Sequence, residues 1–127
     1  MSASLVDGIL EKLNYAHELY HRLILVVAPA GAGKTAALHE ASGLTGAPLV
    51  NVNLELSRLL LQLTERQRTL QLPRLLSDVL GGVEGDVALL DNIEILFDPL
   101  LKQDPLRLLQ SLSRSRTLVV SWNGAVD

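Results

Sequence analysis

The stretch from Leu23 to Thr35 constrains the chain more than any other. Five aliphatic residues in a row (Leu23 to Val27, LILVV) run straight into a loop of small residues (Ala28 to Gly33, APAGAG) that ends in Lys34 and Thr35. An unbroken apolar run of that length, rich in branched side chains and followed by proline and glycine, reads as a strand buried on both faces. Thr35 to Ala41 then reads as a helix, with Gly43 as its stop. A buried strand, a tight turn and a helix form the first half of a strand–helix–strand unit, and such units build parallel sheets covered by helices.

The rest of the chain repeats the pattern. Pro48 to Leu54 (PLVNVNL) predicts a second strand in which Asn51 and Asn53 alternate with Val50 and Val52. Leu56 to Leu63 predicts a helix, Thr64 to Thr69 a turn, and Pro73 the start of another helix that Gly81 and Gly82 end. Val87 to Leu90 is a third apolar strand, closed by Asp91. Asp98-Pro99 and Asp104-Pro105 each predict a helix start, because aspartate caps free amides and proline loses no hydrogen bond at the first helical position. Thr117 to Trp122 is a fourth strand, and Leu5, Ile9, Leu10, Leu13, Ala16, Leu19 and Tyr20 give residues 2–20 a helical apolar stripe. The expectation is one α/β domain over residues 1–127. It has an N-terminal helix over 1–20 and a core over 23–127 built on a parallel sheet of about four strands, with helices on both faces.

Composition narrows the setting. The chain has 127 residues, 48% of them hydrophobic, yet only one Phe, one Trp and two Tyr, so aliphatic side chains must fill the core. It has no cysteine, which excludes disulfides and cysteine–zinc sites and fits a reducing, cytoplasmic location. Asp7 and Glu11 interrupt the N-terminal apolar residues, so no secretory signal is expected there. The longest apolar run, Leu23 to Ala30, is too short to span a bilayer, and no membrane partner is expected. A net charge of −3 offers no global basic field to nucleic acid, which leaves only a local patch.

Ala28 to Thr35 (APAGAGKT) resembles the Walker A motif of P-loop NTPases, G-x-x-x-x-G-K-S/T, with Ala28 in place of the first glycine. The chemistry fits the pattern. Small residues from Pro29, Ala30, Gly31, Ala32 and Gly33 let backbone amides surround phosphates, and the helix that follows, opening at Lys34, Thr35 and Ala36, points free N–H groups at the same charge. Lys34 can reach the outer phosphates, and the Thr35 hydroxyl can bind Mg²⁺. If the backbone at Ala28 needs a positive φ, alanine costs about 1 kcal/mol more than glycine.

Asp86 to Asp91 (DVALLD) resembles Walker B, an apolar strand ending in a carboxylate that holds Mg²⁺. An apolar strand ending in aspartate is common by itself, and the pairing with the upstream loop is what gives it meaning. ATPases with an added catalytic glutamate usually carry Asp-Glu here, whereas this chain has Asp91-Asn92. Asparagine can hold a water but cannot take its proton as a carboxylate can. Glu94 is the nearest substitute, and its plainer reading is a solvated carboxylate at a helix start. At the end of the fourth strand, Asn123 and, second to it, Ser121 sit where related ATPases place the polar group called sensor 1. Asn123-Gly124 is equally a turn signal. Trp122 reads as core before interface anchor. Arg114 and Arg116 are arginine-finger candidates by location, and Arg66, Arg68 and Arg74 candidate contacts to nucleic acid or a partner, against the default of solvated surface arginines. His17, His21 and His39 have no metal-ligand spacing.

The order helix, Walker A, strand, Walker B, sensor-like strand resembles the AAA+ and signal-transduction ATPase group over nearly the whole chain; it departs from a full module in having no fifth strand after Asn123 and no C-terminal lid, as expected of either a truncated chain or a minimal version. The runs LYHRLILVVAPAGAGKT, NVNLELSRLLLQL, LLDNIEILFDP and DPLRLLQSLSRSRTLVVSW are similar to the BrxF family, the small P-loop proteins of type 3 bacteriophage-exclusion (BREX) systems. That resemblance implies a component of antiphage defence with other defence proteins as partners. The two Walker motifs imply ATP and Mg²⁺ as ligands, Asn92 in place of a glutamate predicts slow or partner-activated hydrolysis, and the oligomers formed by many ATPases of the wider group imply self-association. A nucleotide-binding module that hardly hydrolyses is the alternative. A small-molecule kinase is a third reading, without the arginine-rich lid such enzymes carry.

Overall fold

The computed structural model describes residues 2–29 and 31–123; the side chains of residues 2–4 and 123 lie outside that description. Among the described residues, strands β1 (Leu23–Ala28), β2 (Leu49–Asn51), β3 (Val87–Asp91) and β4 (Thr117–Asn123) form one all-parallel sheet in the order β1-β4-β3-β2. The fold is therefore α/β, as the apolar strands predict.

Helices α1 (Ser2–Leu13) and α2 (Lys34–Thr45) cover one face. Val6, Ile9, Ala37, Leu38 and Ala41 pack there on Ile24, Val26, Leu89 and Val119. Helices α3 (Val52–Leu60), α4 (Glu65–Gly81) and α5 (Pro105–Leu112) cover the other face, where Leu56, Leu72, Leu76 and Leu109 meet Ala88, Leu90, Leu118 and Val120. The strands alternate between these two cores, so both faces are apolar and the period-2 polar signal vanishes. Trp122 belongs to the second core, 6% exposed and edge-on to Phe97 with ring centroids 5.1 Å apart.

Several boundaries differ from the sequence expectation, each for a local reason. Helix α1 stops at Leu13 rather than Tyr20. A turn at Asn14 and Tyr15 redirects the chain, and Leu19 and Tyr20 end on the surface despite their helical spacing. Helix α2 runs through Gly43 and ends at Gly46, whose φ of 77° is the left-handed conformation that glycine adopts without cost. Strand β2 ends at Asn51 instead of Leu54. The Asn51 side chain is not one of a polar strand face; it caps α3 by accepting the Leu54 N–H at 3.0 Å.

The expected turn at 64–69 is the first part of α4. Thr64 and Gln67 form a reciprocal capping box, with N···O distances of 2.9 and 3.2 Å. Pro73 therefore lies inside the helix, not at its start. A proline there cannot donate to the carbonyl four residues back, that of Thr69. Gln103 supplies the missing donor, its Nε2 lying 2.9 Å from the Thr69 oxygen. Gln103→Ala should cost about 1 kcal/mol in the natural chain. It should cost less in a Pro73→Ala background, where residue 73 regains an N–H for Thr69. A double-mutant cycle by urea denaturation reads the difference directly. The two Asp-Pro starts are present: Asp98 caps a short 3-10 turn (Pro99–Leu101) and Asp104 caps α5.

Candidate phosphate and metal site

The carboxyl ends of parallel strands are where ligands bind in open α/β sheets, most of all where the strand order reverses. Here β1 leads into α2 and the chain then crosses past β4 and β3 to reach β2. A cleft of about 360 Å³ opens at that edge, lined by Gly31, Gly33, Lys34, Thr35, Ala36, Asp91, Asn92, Glu94 and Ser121. Its size is within the range of small-molecule sites.

The loop is shaped by its glycines. Gly31 and Gly33 have φ of 85° and 91°, and Gly33 hands the chain directly to α2. Ala28 is the last residue of β1 and is not among the positive-φ residues, so the alanine in place of glycine carries no backbone strain. Lys34 is 7% exposed, and its Nζ donates to the carbonyls of Ala28 (2.6 Å) and Pro29 (2.9 Å). The ammonium is thus held across the loop at the N-terminus of α2, where the helix amides also favour an anion. Pro29 and Ala32 are exposed on the loop, and Ala32 N–H bonds back to the Pro29 carbonyl at 3.2 Å. Ala30, also expected in this loop site, lies outside the described residues.

Asp91 closes the far wall and is 6% exposed. Burial alone would raise its pKa. Hydrogen bonds from the Ser121 hydroxyl, the Thr35 hydroxyl and the Asn92 N–H, together with the charge of His39, outweigh that and hold the carboxyl below its ordinary range. The group is ionised wherever the protein is folded near neutral pH. Among the described residues there is no group of three or more His, Asp or Glu that could hold a metal ion. One carboxylate and one hydroxyl beside a phosphate-sized loop suit Mg²⁺, which keeps several waters and takes its other oxygens from substrate phosphates.

Other site expectations resolve unevenly. Glu94 opens a 3-10 turn (Glu94–Phe97) and does line the cleft. Asn92 lines it too, and its φ of 56° gives the asparagine a backbone reason. Asparagine enters the left-handed region readily, whereas glutamate there costs roughly 1–2 kcal/mol. The Asn92 carbonyl also accepts the Asn53 N–H at 3.0 Å, tying the end of β3 to the first turn of α3. The backbone of Asn123 pairs with Ala28 at the end of β4, but its side chain lies outside the described residues. Ser121, the second choice by sequence, is in the cleft, and its Oγ donates to Asp91 Oδ1 at 2.6 Å.

The finger candidates are elsewhere. Arg114 and Arg116 precede β4 and so lie at the opposite edge of the sheet. Arg114 stacks over Tyr20, 4.9 Å from the ring centroid. Arg116 donates to the carbonyls of Leu80, Val83 and Gly85, lining a separate cleft of about 370 Å³. Arg68 ties down the Leu60 and Leu63 carbonyls, Arg74 makes a long surface ion pair with Asp78 at 3.9 Å, and Arg66 is exposed. Sequence reading missed His39 as a neighbour of Asp91, although its i+4 spacing from Thr35 puts both on one side of α2. No helix among the described residues is long and apolar enough to cross a membrane. Comparison with protein-family models, curated proteins and solved structures found no match.

Proposed function

We propose that the chain binds ATP with Mg²⁺ in this cleft and acts as a nucleotide-dependent switch whose hydrolysis is slow until a partner completes the site. The observation that carries the reading is the convergence of Lys34 and Thr35 with Asp91, from two distant parts of the sequence, on one cleft. In that role the loop amides and Lys34 neutralise phosphate charge, and Thr35 and Asp91 hold the metal side. Bound Mg²⁺ would offset charge on the outer phosphates. The turn from Asp91 through Asn92 to Asn53 then joins the nucleotide site to α3, a route by which occupancy can bias a partner surface. The similarity to the BrxF family supports a setting in antiphage defence, with other defence proteins as partners and self-association of the chain.

Asn92 favours slow chemistry, since the residue after the metal carboxylate cannot act as a base. It also favours the second reading, a nucleotide-binding interaction module with almost no turnover. Titration of the purified chain with Mg²⁺-ATP, followed by Trp122 fluorescence and phosphate release, tests both. Saturable binding is expected with turnover far below the roughly 1–10³ s⁻¹ of ordinary enzymes. Absence of binding would end the proposal, and turnover at ordinary speed would contradict its slow-hydrolysis part.

A further inference from the structure

Ser121 is buried at 7% exposure and Asp91 at 6%, on neighbouring strands. The register pairs Leu90 with Val120, so the next positions, Asp91 and Ser121, stand side by side on the face of the sheet that carries α2. Their contact, Oγ to Oδ1 at 2.6 Å, is in the short range of a hydroxyl donating to a carboxylate. A serine hydroxyl has one proton. With that proton committed to Asp91, Ser121 has none to donate to a phosphate oxygen.

We infer that Ser121 is a positioning residue for the metal carboxylate: it fixes Asp91 so that the cleft binds magnesium with the nucleotide, and it does not read the γ-phosphate or orient the attacking water. The inference rests on the proposed Mg²⁺-ATP site. It assigns the polar group at the end of β4 to the metal side of the site. Groups that orient a metal ligand through a hydrogen bond typically govern metal affinity by 10–100-fold.

The test is the magnesium dependence of nucleotide affinity. Calorimetry gives the ATP dissociation constant with Mg²⁺ and again with EDTA, for the natural chain, Ser121→Ala, Ser121→Cys and Ser121→Thr. The ratio of the two constants should fall about tenfold in Ser121→Ala, with the EDTA value unchanged. Ser121→Thr, which keeps the hydroxyl, should restore it. Ser121→Cys has similar volume and only a weak donor, so it reads the same loss if the alanine variant does not fold. A lowered melting temperature with an unaltered ratio would make Ser121 merely structural and overturn the inference. Equal weakening with and without Mg²⁺ would mean that the hydroxyl touches nucleotide, and would also overturn it. If the natural chain itself shows no Mg²⁺-dependent binding, the proposed function fails and the inference with it. That result is distinct from one in which the natural chain shows the dependence and Ser121→Ala keeps it.

Discussion

Replacing Lys34 with alanine is expected to weaken Mg²⁺-ATP binding by about 100-fold while leaving the fold intact. Lys34 is the buried cation of the cleft, and its ammonium is held within 2.6 and 2.9 Å of two loop carbonyls. Hydrogen bonds to a charged partner are each worth about 1.5–3 kcal/mol, and 1.4 kcal/mol is about a factor of ten in affinity. Loss of the cation removes one or two such bonds to phosphate, which sets the scale. Alanine is the best helix former, so the first turn of α2 should not suffer. Calorimetric titration measures the affinity, and a melting curve close to that of the natural chain shows that the site, not the fold, was lost. Unchanged affinity in Lys34→Ala would remove the loop from the argument altogether.

Leu118→Ala should destabilise the protein by about 2–5 kcal/mol, the range for leucine deletion in a core that cannot collapse around the gap. Leu118 is fully buried in β4, paired with Leu23 on one side and Ala88 on the other. The two flanking strands prevent closure of the cavity from within the sheet. Because domains of this kind are stable by only about 5–15 kcal/mol, the variant should unfold at a distinctly lower urea concentration. A loss under about 1 kcal/mol would mean that the α3–α4 layer repacks over the site.

Much of this protein is legible residue by residue, because the signals are local. The aliphatic runs mark β1, β3 and β4. The two aspartates before proline cap the helical turns they predict. The glycines around Lys34 mark the turn between β1 and α2, and the apolar run ahead of Asp91 marks its place at a strand end. The Thr64–Gln67 box was also legible, and the expectation of a turn there gives too much weight to Pro73. That proline is tolerated inside α4 because Gln103, thirty-four residues away from Thr69, supplies the donor it lacks. Nothing near Pro73 in the sequence encodes that.

The strand order is the decision the tertiary structure made alone. Adjacency of β4 to β1 rests on pairs such as Leu23 with Leu118, far apart in the chain and with no local signature. Because β4 inserts between β1 and β3, Ser121 rather than a loop residue stands beside Asp91, and the carboxylate is buried and ionised at once. The left-handed turn at Asn92 belongs with these, since it is the bond from Asn53 that draws the end of β3 toward α3. The sequence by itself determined which residues are the candidates for phosphate and metal chemistry. Which of them touch was decided by long-range strand pairing, whose free energy comes from apolar cores on both faces of the sheet and is visible only once those faces have met.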